Sequence, residues 1–295
     1  MRILEFMHKI HWFCVRVINT AVALTYKKKL IVNALVDIKW GKLRPTNWGD
    51  DLNIWLLSLI SGKHVVDCKS VLLWQHDKNY ICIGSIIGNY ENSNSVICGT
   101  GAISENVQVK KNPKTILSTR GKLTRKLLLD QGLKVPEIYG DLALLTSKYY
   151  VPKQRKKKRL CIIPHYVDFE NEVIQEYKEI FQNEIEIVNL SNYNAWTEIV
   201  DKICSCDCVI SSSLHGLIVS DSYNIPNIWV SFSDNIKGGN FKYLDYFSSV
   251  ERNQKEPICI RESKDIEKAV LKISNFKRAS IHFDNFLNII NELKK

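Results

Sequence analysis

Apolar positions along this chain recur in two rhythms that alternate with one another. Short, nearly continuous apolar runs at Arg159–Ile163, Glu184–Val188, Cys208–Ile210, Pro226–Ser231 and Ile258–Ile260 have the length and residue types of buried strands. Between them, apolar residues spaced by three or four predict helices over Phe169–Phe181, Ala195–Cys204, His215–Tyr223 and Lys264–Ser274. Strands that alternate with helices imply a parallel sheet covered on both faces. The first half repeats the rhythm. Strands are predicted at Leu30–Ile38, Tyr80–Ile83, Val96–Cys98 and Thr115–Leu117, with helices from Asp50 to Ser61 (closed by Gly62) and from Lys122 to Gln131 (stopped by Gly132). A last amphipathic helix carries Phe283, Phe286, Ile289, Ile290 and Leu293. The fold class expected is α/β, two Rossmann-like domains with a cleft between them.

Charge divides the chain further. Residues 1–49 hold nine basic side chains against Glu5 and Asp37, a net of +7, and Lys153–Arg159 adds six more positive charges, although the whole protein carries only +10. The division expected is a basic amphipathic segment over 1–29, a first domain over 30–152, a solvated basic linker over 153–159, and a second domain with a C-terminal helix over 160–295. Such basic edges suit an anionic partner. No aromatic-rich groove or nucleic-acid motif accompanies them, so a nucleic acid is not expected. Ile10–Thr25 is too short and too polar to span a bilayer, and it lacks the order of a secretory signal. As a helix it would set Ile10, Phe13, Val17 and Leu24 along one side, with Lys27, Lys28 and Lys29 following. That stripe either packs on its own domain or lies in the interface at the inner face of the cytoplasmic membrane. The nine cysteines are odd in number and irregular in spacing, which suits a reduced, cytoplasmic setting.

The most informative stretch is Cys208-Val209-Ile210-Ser211-Ser212-Ser213-Leu214-His215-Gly216-Leu217-Ile218. A strand ends and a helix begins there, the position at which parallel sheets bind ligands. Hydroxyls and free backbone N–H groups of Ser211, Ser212 and Ser213 would form an anion site, Gly216 would allow close approach, and His215 could move protons. The alternative is that the serines cap the helix while His215 packs. Asn47, Gly49 and Asp50 open another helix, and Thr100 follows a strand. Arg120 precedes a helix whose N-terminus disfavours cations, so it serves either a ligand anion or a salt bridge at the surface. Cys204, Cys206 and Cys208 cross a helix end into a strand and lack the second ligand pair of a structural zinc site, so no metal is expected. Dinucleotide, Walker-type and serine-hydrolase signatures are absent from the sequence.

The ordered blocks Asn47-Trp48-Gly49-Asp50-Asp51-Leu52-Asn53, Ile83-Gly84-Ser85-Ile86-Ile87, Gly99-Thr100-Gly101, Arg120-Gly121-Lys122-Leu123-Thr124, Tyr139-Gly140-Asp141-Leu142-Ala143, Ile163-Pro164-His165-Tyr166-Val167-Asp168, Ser211–Ile218 and Phe241-Lys242-Tyr243-Leu244-Asp245-Tyr246-Phe247 together resemble the polysaccharide pyruvyl transferase family. The resemblance implies a GT-B-like fold and phosphoenolpyruvate as donor. It implies as acceptor a sugar of a surface polysaccharide or of its lipid-linked precursor, and no organic cofactor. It puts His215 and Arg120 in catalytic roles and Ser212, Ser213, Leu214 and Gly216 at the donor. Asn47, Gly49, Asp50, Thr100, His165 and Lys242 become candidate substrate contacts. Many family members carry an arginine just before the Leu-His pair, where this chain has Ser213. The rival readings are a glycosyltransferase of the same fold using a nucleotide sugar, and a carbohydrate-binding relative without turnover.

Overall fold

A computed structural model of the chain describes residues 2–153 and 157–295. The first half comprises α1 (Arg2–Leu24), β1 (Lys29–Val32), β2 (Asp37–Lys39), β3 (Lys42–Arg44), α2 (Trp48–Ser61), β4 (His64–Asp67), β5 (Asn79–Ile81), β6 (Ser95–Cys98), β7 (Thr115–Ser118), α3 (Lys122–Asp130) and α4 (Thr146–Tyr149). The second comprises β8 (Lys158–Ile163), α5 (Glu172–Ile180), β9 (Ile185–Ile187), α6 (Trp196–Cys204), β10 (Cys206–Ser211), α7 (Leu214–Ser222), β11 (Asn227–Ser231), α8 (Phe241–Ser249), β12 (Ile258–Cys259), α9 (Ser263–Ile273) and α10 (Leu287–Lys294).

Among the described residues the strands form two five-stranded sheets, ordered β4-β1-β5-β6-β7 and β12-β11-β10-β8-β9, and a β2–β3 ribbon. Every pairing in the two large sheets is parallel. Leaving the ribbon aside, each sheet has the doubly wound order 2-1-3-4-5 counted in its own chain direction, so the protein is two Rossmann-like halves. Their switch points lie between β1 and β5 and between β8 and β10, the places where such sheets open a crevice. Both faces of the sheets are covered. Along β8, Cys161 and Ile163 join the apolar cluster that runs between the two halves, while Leu160 and Ile162 join the one under α5 and α9. That is the period-two alternation of a strand buried on both sides.

Several expectations are corrected. The run Leu30–Ile38 is broken: β1 ends at Val32, and Asp37–Lys39 turns back as a hairpin through Trp40 and Gly41. Both turn residues have positive φ (56° and 74°), the combination that suits the right-handed twist of a two-residue hairpin. Strand β4 is not foreseen by the periodicity, although Val65 and Val66 carry its apolar character. The C-terminal helix does not stay with the second sheet. α10 packs on α2, and its Glu292 pairs with Lys78 and accepts from the Tyr80 hydroxyl at 3.1 Å. Of the basic run 153–159, Gln154, Arg155 and Lys156 lie outside the described residues. The last two residues are strand rather than linker: Lys158 pairs with Glu186 at 2.7 Å and Arg159 with Glu267 at 2.9 Å.

Candidate active site

The two switch points face each other, and the halves are tied together beside them. The Trp48 N–H donates to the Leu190 carbonyl at 2.8 Å, and the Trp48 indole donates to the Trp196 carbonyl at 2.9 Å. Between them lies a cleft of about 180 Å³ lined by Leu35, Asn47, Asp50, Ser85, Ile86, Ile103, His165, Tyr166, Ser213, Leu214, His215, Lys237 and Lys242. It adjoins a second hollow of about 370 Å³, bounded by Val36, Asp37, Thr46 and Ser191, with which it shares Leu35, Asn47, Asp50 and Tyr166. Roomier hollows of about 650 Å³ beside α3 and 500 Å³ beside α9 lie away from the two switch points. The smaller cleft is the candidate because it sits at the carboxyl ends of both sheets and gathers polar groups whose protonation the fold has shifted.

The start of α2 is built locally. Asn47 caps the helix, accepting from the Gly49 N–H at 3.2 Å, and Asp51 accepts from the Thr46 N–H at 3.1 Å and the Tyr193 hydroxyl at 2.7 Å. Asp51 is thereby used as a brace, while Asp50 on the adjoining helix position reaches the cleft. Burial, reinforced by the neighbouring Asp51 charge, raises the Asp50 carboxyl from 3.8 to about 7, with Lys242 opposing. Gly49 has a specific duty. A methyl group at this position would stand 1.9 Å from His215 Nδ1, so only glycine lets α2 accept that imidazole.

Across the cleft, α7 begins after Ser213, whose side chain makes no capping hydrogen bond. Every residue of α7 is buried, since the helix is wedged between its own sheet and the 3-10 turn Leu142–Leu145 of the other half. His215 therefore has a buried Nε2 with no hydrogen-bond partner among the described residues. Burial first, then the charges of Arg120 and Lys242, lowers its pKa from 6.5 to about 3. His165, after β8, is lowered to about 4 by burial and Lys242, and Lys242 itself to about 8 by burial and Arg120. At pH 7 these shifts leave both imidazoles neutral, and Asp50 and Lys242 are the groups that exchange protons near neutrality.

Other residues singled out from the sequence stand behind the cleft wall. Ser212 Oγ accepts from the His165 N–H at 2.8 Å and so joins the loops after β8 and β10. Gly216 faces Ser211 Oγ and Ile163, where a methyl group would stand 2.4 Å and 3.0 Å away; it fits helix to strand rather than ligand to backbone. The Thr100 hydroxyl donates to the Gly84 carbonyl at 2.8 Å.

Arg120 differs from both expectations. It is an ion pair, but a buried one: its Nε donates to Asp245 at 3.0 Å, with both side chains inaccessible. The same carboxylate accepts from the Thr124 N–H at 2.8 Å and hydroxyl at 2.7 Å, so Asp245 of α8 supplies the anion at the start of α3. Arg120 Nη1 donates to Ser85 at 2.5 Å and Nη2 to the Ala102 carbonyl at 2.8 Å, which leaves Ser85 between the guanidinium and the cleft. Gly101 makes room for this arrangement, as a methyl group there would meet the guanidinium carbon at 2.4 Å.

Ser85, Lys237, Tyr166 and Asp245 carry no role in the sequence pattern. Ser85, Tyr166 and Asp245 lie inside the ordered blocks, yet nothing in the sequence pairs Asp245 with an arginine 125 positions away. Lys237 does have a local signal, because it precedes Gly238-Gly239, whose positive φ values (83° and 55°) mark a bent loop.

Residues 96–234 match the model of the polysaccharide pyruvyl transferase family. The resemblance holds over that stretch. The matched residues include Ser211–Ile218, His165 and Arg120, while Asn47, Gly49, Asp50 and Lys242 lie outside them. A protein of Acanthamoeba polyphaga mimivirus is 27% identical over 248 residues, covering 80% of each chain. Among solved structures, a UDP-GlcNAc 2-epimerase of Methanocaldococcus jannaschii aligns with a TM-score of 0.39 at 12% identity, over 59% of this chain and 59% of its own.

Proposed function

We propose that this protein transfers the enolpyruvyl group of phosphoenolpyruvate to a sugar of a surface polysaccharide or its lipid-linked precursor, closing a pyruvate ketal and releasing phosphate. The observation that carries this reading is the buried His215 Nε2, without a hydrogen-bond partner among the described residues, in the wall of a cleft shared with Lys242 and Asp50. The inner hollow suits a small, multiply charged donor and the adjoining outer one a sugar, with Asp50 and Tyr166 belonging to both.

The chemistry follows from the charges. Lys242 and Lys237 attract the donor's phosphate and carboxylate, with Ser213 and Ser85 as hydroxyl contacts. Arg120 acts through Ser85 and through its field rather than by touching the donor. Burial is the main reason His215 is neutral, and anionic charge brought beside Lys242 and Arg120 works against it by cancelling their added repulsion, so the proton affinity of His215 rises in the donor complex. His215 then delivers a proton to the donor's methylene carbon, and the central carbon takes on oxocarbenium character. One sugar hydroxyl adds there and gives its proton to Asp50, whose carboxyl is poised near neutrality. The bond from carbon to the phosphate oxygen breaks, phosphate leaves with the proton that Asp50 had taken up, and a second hydroxyl of the same sugar closes the ketal as its proton passes to His215, which restores both groups.

The test incubates the protein with phosphoenolpyruvate and a panel of lipid-linked and free saccharides, reading phosphate release together with a mass gain of pyruvate less water. Coupled appearance of both supports the reading. Sugar transfer from a nucleotide sugar, or glycan binding with no turnover of either donor, overturns it.

A further inference from the structure

Helix α1 holds to the rest of the protein by the face that the sequence pattern does not mark. Val15, Asn19, Thr20 and Ala23 are its buried residues, and they anchor it. Asn19 donates to the Ile38 and Ser70 carbonyls at 2.9 Å and accepts from the Gly41 N–H at 2.7 Å, while Arg16 Nη2 donates to the Val71 carbonyl at 2.7 Å. The apolar stripe points the other way. Phe6, Ile10, Phe13, Val17 and Leu24 recur at helical spacing and are 64%, 47%, 58%, 41% and 57% exposed. Residues 4–14 are exposed all round, so the first turns of the helix project from the fold. Beside them stand Trp12, with Lys39 Nζ 4.9 Å from its ring centroid, and Trp40 at the tip of the β2–β3 hairpin, edge-on to His11.

The charge around this projecting apolar ridge complements an anionic surface. The surrounding residues 1–49 carry a net +7, with Lys27, Lys28 and Lys29 where the helix ends. No helix among the described residues is long and apolar enough to cross a membrane. We infer that α1 lies in the surface of an anionic lipid bilayer, with Phe6, Ile10, Phe13 and Val17 sunk among the acyl chains and the flanking lysines at the headgroups. Aromatic and basic residues at the boundary are the usual anchors of such helices. The basic run at 153–159 is not needed for this, because Lys158 and Arg159 are held by acidic partners.

Flotation of the full chain with vesicles tests the inference without using donor or acceptor. Binding to phosphatidylcholine vesicles containing phosphatidylserine should exceed binding to phosphatidylcholine alone by at least about tenfold, given about fivefold per basic residue near an anionic surface, and should fall at high salt. Phe6→Ser with Phe13→Ser should weaken that binding at least about tenfold with an unchanged thermal midpoint, since both side chains are already in water. Equal binding to the two vesicle types, or none at low salt, overturns the inference. So does a dimer in sedimentation that Phe13→Ser dissolves while vesicles remain unbound, which would assign the stripe to a second copy.

Discussion

The two halves share one strand order and meet at their switch points, yet they bring opposite chemistry to the cleft. The second half contributes His165, His215, Lys237 and Lys242, a set of bases and cations. The first contributes Asp50, with Asn47 and Ser85 beside it. Burial pushes each titratable group toward its neutral form, so it raises Asp50 and lowers His215, His165 and Lys242. A repeated architecture has not repeated a site. Asp50 on α2 and His215 on α7 belong to different halves, and only their apposition puts groups of unlike charge and altered pKa within one small volume.

Removing the imidazole should have the largest consequence. His215→Ala should lower ketal formation by about 10²–10⁴-fold in a protein that stays folded, the cavity left by the buried imidazole costing stability but no hydrogen-bond partner of Nε2 being stranded among the described residues. Near-normal turnover of the purified variant would take His215 out of the reaction and leave the second half without its proton carrier.

Next in size is the strut between the halves. Arg120→Ala and Asp245→Ala should each cost about 3–5 kcal/mol in denaturant unfolding, the usual penalty for stranding one charge of a buried pair. Arg120→Lys should recover little of it, since an ammonium cannot reach Asp245, Ser85 and Ala102 together. Full recovery with lysine would mean that charge alone holds the halves there.

Gly49→Ala probes how closely the two helix starts must fit. The added methyl must displace His215, and a misplacement of about 1 Å can cost up to about 10²-fold in turnover. A kcat drop of about tenfold or more with an unchanged fold is expected. Unaltered kcat would show that the imidazole has freedom to move.

A last comparison separates the halves by the sign of their pH dependence. Asp50 binds its proton more tightly folded (about 7) than at its ordinary 3.8, so its contribution to stability falls as pH rises from about 4 to 7. His215 binds its proton less tightly folded (about 3) than at its ordinary 6.5, so its contribution falls as pH drops through that window. Asp50→Asn should therefore gain stability relative to the parent as pH rises to 7, and His215→Ala should gain it as pH falls toward 4. Parallel pH–stability curves for parent and either variant would refute that assignment.

Much of the fold is legible in the chain itself. Strand and helix order, the parallel sheets and the loops after β8 and β10 follow from periodicity, which is a property of neighbouring residues. The loop from Ser211 to His215 stands out because a strand end, three hydroxyls and an imidazole are adjacent in sequence. The hairpin at Trp40-Gly41 and strand β4 escape notice because short apolar runs leave ends and turns undetermined.

Pairing and facing belong to the assembled molecule. Arg120 precedes a helix N-terminus in the sequence, but its counter-ion is Asp245, 125 residues away. The apolar stripe of α1 is plain in the sequence, yet polar Asn19 and small Ala23 make the contact and the stripe faces out. α10 follows the second sheet in the chain and packs on the first half. Local pattern sets which side chains share a face. Which face is buried, and which charge meets which, is settled by contacts between residues far apart in the chain, where burial and Coulomb energy act through space.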